Sequence, residues 1–149
     1  MQPSLIREAI ADAARAVVLP DGLANLTCTG YVPDSVNAPH FFVAEYEQDY
    51  DKAMGRGLDE ITFTSRVLVA RTDDAFAQKA LDGMLAGAGP ASLKQAIEAA
   101  RGAPGELALG GLAHDLHVTR AQGYRWYEHA GATYVGAELM IRVIGEGSA

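Results

Sequence analysis

The amino-acid sequence predicts a single α+β domain over residues 1–149, with an N-terminal helix and two further helices on a mainly antiparallel sheet of about five strands. Three observations lead to this prediction. Two long segments near the C-terminus alternate polar and apolar side chains across a short turn, the pattern of a β-hairpin. Apolar side chains recur with the helical period of about 3.6 residues at the N-terminus and mid-chain. Shorter β-like segments lie between, so the predicted order is α-β-β-β-α-α-β-β.

Composition and charge argue against several classes of function. Hydrophobic residues make up 49% and charged residues 21% of the chain, as in ordinary globular proteins. The net charge of −7 at pH 7 repels phosphate backbones and argues against nucleic-acid binding. No apolar run approaches the roughly 18 residues of a membrane span, and Arg7, Glu8 and Asp12 make the first segment unlike a signal peptide. We therefore expect no membrane partner and no secretion, and Cys28 is predicted to be a small buried hydrophobe.

The first half of the chain supplies a helix and two strands. Apolar side chains repeat on one face over residues 4–18, and a Pro-Asp-Gly turn follows this predicted helix. Residues 26–32 are rich in β-branched and aromatic side chains and predict a strand. Residues 41–46 are apolar on both faces, which is typical of a strand in the interior of a sheet. Residues 47–59 are acidic and glycine-containing, and they predict either a long hairpin tip or a flexible loop.

The next strand, residues 61–70, has two different faces. Its apolar row is interrupted by Ser65, whereas Thr62, Thr64 and Arg66 lie on the opposite face. One face should therefore pack in the core while the other meets water or a partner. The apolar row consists of Ile61, Phe63, Val67 and Val69.

Two helices follow this strand. Asp73 and Asp74 are predicted to accept the free backbone N–H groups at the start of the first, so these carboxylates need no catalytic role. Gly87 is expected to end that helix with a left-handed turn, and Ser92 is expected to cap the second. Gly102 should end the second helix. The first helix is predicted to bury Ala77, Ala80, Leu81, Met84 and Leu85.

The last third predicts a β-hairpin and a tail. Residues 112–128 and 133–144 alternate polar and apolar side chains on either side of a short turn at residues 129–132. Residues 145–149 are predicted to be a frayed terminus. Within the first strand, Tyr124 and Trp126 should share one face, and Arg125 and Tyr127 the other. We predict that one pair packs in the core and the other is available for contact, leaving interface and packing roles open.

No pattern of residues predicts an enzyme. His114, Asp115 and His117 offer three potential metal ligands, but in a strand the two histidines point to opposite faces, and no second ligand cluster accompanies them. The chain lacks the G-x-S-x-G motif, and Cys28 has no activating neighbours in sequence. We therefore expect no catalytic residues, no metal and no cofactor.

The chain resembles the tail terminator proteins of long-tailed, non-contractile bacteriophages over nearly its whole length. The resemblance rests on the element order and on the local patterns LIREAIADAARAV, PHFFVAEYEQDYD, FTSRVLVARTDDAFAQKALDGML, GPASLKQAIEAAR and GATYVGAELMIRVIG. It implies a structural subunit of the virion, assembled in the host cytoplasm as a homo-hexameric ring. Such a ring would bind the major tail tube protein, end tube growth and present a surface to the head-tail connector or stopper protein. DNA would pass through it without specific binding.

Two sets of residues are candidates for the contacts of such a ring. Asp49, Asp51, Arg56 and Asp59 are assigned to the tube or lumen contact because the 47–59 segment is long, charged and between strands, and a merely solvated loop is the open alternative. The polar strand face and the hairpin are assigned to the contact between subunits, with Thr62, Thr64, Arg66, Arg125 and Tyr127 as the candidates. Two alternatives stay open: another phage neck component, such as a stopper or head-completion protein, and a small-ligand-binding α+β domain.

Overall fold

The computed structural model describes residues 1–20, 23–50, 57–70 and 75–146. Its strands are β1 (Thr27–Thr29), β2 (His40–Asp49), β3 (Leu58–Ala70), β4 (Asp115–His129) and β5 (Ala132–Glu146), and its α-helices are α1 (Pro3–Ala14), α2 (Ala75–Leu85) and α3 (Leu93–Glu98). The strands form one sheet in the order β1-β2-β3-β5-β4. β1 and β2 pair in parallel, and the other neighbouring strands pair antiparallel. The predicted α+β class and element order are confirmed.

The helices cover one face of the sheet. In β3 every second residue from Asp59 to Val67 is buried, as the period of two requires, and the apolar row faces the helices. Ser65 is tolerated in this row because its hydroxyl donates to the carbonyl of Leu139 at 2.9 Å. Each fully buried large apolar side chain stabilises the fold by roughly 1.5–3 kcal/mol. The largest in this core are Phe41, Phe63, Ile6, Ile10, Ile61, Leu81, Met84, Leu93, Ile97 and Leu116.

A tight turn joins the two long strands of the predicted hairpin. Ala130 and Gly131 have positive φ angles of 49° and 83°, the conformation that a two-residue turn between twisted antiparallel strands requires. β4 and β5 then pair from His129↔Ala132 to Asp115↔Ile144. The hairpin prediction is confirmed, with β5 continuing to Glu146.

Several strands end at residues other than the predicted ones, because pairing with a neighbouring strand extends them. β2 continues to Asp49 and β3 begins at Leu58, so residues 47–49, 58 and 59 of the predicted 47–59 loop are strand. The predicted fraying at 145 and 146 is wrong because Gly145 pairs with Asp59 and Glu146 with Leu58. Residues 147–149 lie outside the described residues.

The helix ends differ in the same way. α1 ends at Ala14, where the N–H groups of Ala16 and Val17 bond to carbonyls three residues back, a tightening final turn. Gly87 is not among the residues with positive φ, and Gly89 adopts that conformation instead, with a φ of 117°. Gly102 ends the short 3-10 helix Ala99–Arg101 after α3 with a φ of 85°. The predicted cap by Asp73 and Asp74 lies outside the described residues.

Ser92 caps α3 as predicted, and replacing it with alanine is expected to cost about 1–2 kcal/mol. Its hydroxyl accepts from the Gln95 N–H at 3.1 Å and donates to the Ala86 carbonyl at 2.5 Å, joining α3 to the turn after α2. Chemical denaturation would measure the loss. Ser4→Ala is the control, because Ser4 is exposed in α1 and lies inside the helix, not at its cap. Equal stabilities for the two variants would refute the capping role.

A small second cluster covers the other face of the sheet near the hairpin turn. Phe42, Ala44, Leu68 and Tyr134 are buried there beneath Val36 and Ala38. His40 lies at its edge and is 2% exposed. Its Nδ1 accepts from the Asn37 N–H at 3.2 Å, and its Nε2 lies 3.0 Å from the Thr29 hydroxyl, which donates to the Tyr31 carbonyl. These contacts suit a neutral imidazole.

Stability should therefore fall as the pH drops below about 6.5, the ordinary pKa of histidine. Burial, and secondarily the charge of His129, lowers the pKa of His40. Below about pH 6.5 the unfolded chain takes up a proton at this histidine, whereas the folded chain does so only at a lower pH. The stabilisation present above about pH 6.5 is therefore lost as the pH falls through the pKa of His40 in the folded state. Unfolding free energies measured between pH 7.5 and 5.5 should show this slope, and His40→Gln should flatten it. An unchanged slope in that variant would exclude His40 as its cause.

Candidate functional site

The sheet face opposite the helices is polar over most of its length. It carries Thr62, Thr64 and Arg66 from β3, which pair across to Arg142, Met140 and Glu138 of β5. We call these six residues, with Arg125 and Tyr127 of β4, the open face. Thr62, Thr64 and Arg66 are half-buried, as the predicted alternation of β3 implies.

Arg66 is the centre of the open face. Its Nε donates to Glu138 at 2.9 Å, and its Nη2 donates to Glu45 of β2 at 3.0 Å. The Glu138 side chain is only 9% exposed, whereas that of Glu45 is 64% exposed. An ion pair that is exposed to water contributes little to stability, so the contact with Glu138 does more than that with Glu45 to hold the Arg66 side chain in place. The guanidinium therefore joins β2, β3 and β5.

Arg66, Arg125 and Tyr127, three of the predicted interface residues, meet in one cluster. The guanidinium carbons of Arg125 and Arg66 lie 4.8 Å and 5.8 Å from the Tyr127 ring centre. The Tyr127 hydroxyl donates to the Gly123 carbonyl at 2.5 Å. Burial, together with the charge of Glu138, raises the pKa of Tyr127, so this hydroxyl stays protonated and a donor at neutral pH. Glu138 and Glu45 were not predicted, although Glu138 stands in the polar row of the alternating last strand.

The described ends of the acidic 47–59 segment belong largely to strands. Asp49 is the exposed last residue of β2. Asp59 is a strand residue and is 4% exposed, accepting from the Gln48 side-chain amide at 3.4 Å. Its assignment to a contact loop is wrong because it shares the parity of Ile61 and faces inward. Asp51 and Arg56 lie outside the described residues.

The prediction that one pair of hairpin aromatics packs in the core is wrong. Tyr124 and Trp126 are 46% and 42% exposed, and Tyr127 is half-buried on the open face. β4 is the outer strand, and α3 reaches it at Val118, whose N–H donates to Glu98 at 3.0 Å. Beyond Val118 the strand is largely exposed on both faces, so these aromatics lie at the surface.

The other predicted chemical candidates contact neighbouring side chains. His117 lies 2.9 Å from Glu98, and the Arg101 guanidinium donates to Asp115 at 2.8 Å and lowers the pKa of that carboxyl. Burial raises the pKa of Cys28 to about 11, and this thiol is 5% exposed, as predicted. Among the residues that the structure describes, no three His, Cys, Asp or Glu side chains are grouped to hold a metal ion.

An apolar depression lies between the end of α1 and the α2–α3 connection. Its volume is about 310 Å³, and Lys79 is the charged side chain among the described residues that line it. Small-molecule sites usually combine apolar walls with several converging polar groups. This depression does not favour the ligand-binding alternative. The lining residues are Val18, Leu19, Pro20, Lys79, Ala80, Gly83, Pro90 and Ala91.

Comparison with known proteins adds no family assignment: no protein-family model matches the chain, and no curated protein is significantly similar to it. None of the helices in the described part of the chain is long and apolar enough to cross a membrane.

Proposed function

We propose that this protein is a structural virion subunit that caps the tail tube of a long-tailed bacteriophage as a ring. The observation that carries the proposal is the resemblance of nearly the whole chain to tail terminator proteins, which rests on the element order found in the fold. The open face and the outer strands supply charged and aromatic side chains suited to protein contacts. Capping needs only shape and surface complementarity: the ring binds the last tube ring and covers the surface that the next one would use.

The partners that follow are the major tail tube protein on one side and the head-tail connector or stopper on the other. Asp49, at the end of β2, together with Asp51 and Arg56 beyond it, is assigned to the tube or lumen contact. The acidic charge of the chain suits a passage for DNA, because like charges keep the duplex from adhering to its walls. Assembly takes place in the host cytoplasm, and the final location is the neck of the virion.

Tail length distinguishes this function from that of a stopper. In infections without this protein, tails should be overlong and should lack heads, because tube growth is not capped. Loss of a stopper should instead leave tails of normal length unattached to heads. Electron microscopy measures both, and a plasmid copy of the gene should restore normal particles. Tails of normal length in its absence would contradict the proposal.

The tube contact can be tested separately. Deletion of residues 50–57 is expected to reduce binding to purified tube protein and to lengthen tails. Circular dichroism of the deletion variant would control for folding. Unchanged tail length and virion yield with a folded variant would show that this segment makes no essential tube contact.

A further inference from the structure

The two outer edges of the sheet are each blocked in one part and open in another. On β4, the Val118 N–H donates a hydrogen bond to Glu98 of α3 at 3.0 Å, and the Arg101 guanidinium donates to Asp115 at 2.8 Å. These contacts cover the first residues of the strand. From residue 119 to residue 126 the strand is largely exposed and has no neighbouring strand on its outer side in the described part of the chain. Alternate N–H and carbonyl groups of an outer strand point away from the sheet. We call residues 119–126 the basic edge.

On the other side, β1 pairs with β2 only from His40 to Phe42. Arg7 then donates to the carbonyls of Val43 and Ala44 at 2.7 Å and 2.6 Å, which covers the next part of the strand. Residues 45–49 have no neighbouring strand on that side among the described residues. We call them the acidic edge.

The names of the edges follow from their charges. The basic edge contains Arg120 and Arg125 and no Asp or Glu, although the chain as a whole has a net charge of −7. The acidic edge contains Glu45, Glu47 and Asp49 and no Lys or Arg. All five of these side chains are exposed. Two basic edges would repel each other and so would two acidic edges, whereas one of each attract.

Strand direction also suits a contact between unlike edges. β2, β3, β5 and β4 are successive antiparallel neighbours, so β4 runs opposite to β2. A second copy placed beside the first in the same orientation would therefore continue the antiparallel pattern. Across the sheet, Asp49 is level with Asp115 through Glu60 and Ile144. A stagger of about five residues, of the kind that closed barrels have, brings Asp49 opposite Arg120. It also brings Glu45 opposite Arg125, because the irregularity between Gln122 and Arg125 adds one residue to β4.

We infer that copies of this chain join head to tail, with the basic edge of one copy against the acidic edge of the next. The contact uses two different patches, as the closed rotation of a ring requires. Charge repulsion disfavours the symmetric dimers that either edge could form with itself. The inference rests on the proposed ring for its closure, and it places the subunit contact at the two edges of the sheet, which share Arg125 with the open face.

Charge exchange between two variants tests the contact. The basic-edge variant carries Arg120→Glu and Arg125→Glu, and the acidic-edge variant carries Glu45→Lys and Asp49→Lys. Each variant alone should associate at least about tenfold more weakly than the natural chain, because both of its edges have the same sign. An equimolar mixture should recover the association in alternating copies. Analytical ultracentrifugation and native mass spectrometry measure the masses.

The control is Lys79→Glu, a charge reversal at an exposed position of α2 that should leave association unchanged. Circular dichroism checks that each variant is folded. Association of the single-sign variants at the natural strength overturns the inference, as does a mixture of folded variants that stays monomeric. A natural chain that is monomeric at millimolar concentration also overturns it. If rings assemble through these edges but do not bind purified tail tube protein, the proposed function is wrong and the edge contact is still supported.

Discussion

Gly136→Ala is expected to destabilise the protein by about 3 kcal/mol, because the sheet has no room for a methyl group at this position. Gly136 lies in β5, paired with Leu68 of β3 on one side and with Arg125 of β4 on the other. An added Cβ would press against the Val67 carbonyl oxygen and lie 2.9 Å from Leu68 Cδ2. The carbonyl belongs to the backbone of the central strand, which cannot shift without disturbing both of its ladders.

Urea denaturation would measure this loss, and Gly83→Ala provides a matched comparison. Gly83 lies inside α2, and its added Cβ would be 3.8 Å from the Ala91 Cβ, an ordinary contact. Alanine there should stabilise the protein by roughly 0.5–1 kcal/mol through helix propensity. The same substitution should thus act with opposite sign at two sites. If Gly136→Ala were as stable as the natural chain, β3 and β5 would have to move apart at little cost to accommodate the methyl group.

The faces of the sheet could be predicted from the sequence because alternation is a local property. The apolar row of β3 faces the helices, and Thr62, Thr64 and Arg66 lie on the open face, as their parity implies. Parity also placed Arg125 and Tyr127 on one face, where the arginine stacks on the ring at 4.8 Å. These predictions need only the period of two along each strand.

The edges could not be predicted, because they depend on the order of strands in space. In chain order β5 is last, yet it lies inside the sheet between β3 and β4. This position buries the residues of β5 and leaves Tyr124 and Trp126 of β4 at the surface, although both strands alternate. The Arg66–Glu138 pair joins residues 72 positions apart, and no local pattern indicates such a partner.

The ends of β2 and β3 show the same limit. Residues 47–49 are polar, which predicts a loop, but their pairing with Glu60, Ile61 and Thr62 of β3 keeps them extended. A strand whose outer side meets water needs no apolar residues at its end, so its sequence resembles a loop. Asp59 differs in its cause: it faces inward in β3, but a carboxylate adds no apolar residue to the alternation that predicts a strand.

Arg7→Ala is expected to cost about 3 kcal/mol, since it removes several charge-assisted hydrogen bonds at once. Arg7 extends from α1, its Nε donating to the Gly30 carbonyl at 2.7 Å and its Nη2 to the Val43 and Ala44 carbonyls. Its guanidinium carbon lies 4.5 Å from the Tyr31 ring centre. The register of β2 against β3 shifts just after Val43, so these carbonyls sit where the ladder is irregular.

Arg7→Lys should recover only part of the loss, because an ammonium group on a flexible stem cannot reproduce the planar fork that serves three carbonyls. Unfolding free energies from urea denaturation, at equal m-values, would rank the natural chain above Arg7→Lys and Arg7→Ala below it. A lysine variant as stable as the natural chain would show that charge alone accounts for the effect. Arg7→Ala also uncovers β2 beside residues 45–49, and a longer bare edge invites unspecific strand pairing. The alanine variant should therefore form polydisperse aggregates under native conditions, whereas Arg7→Lys, which retains a donor at this edge, should aggregate less.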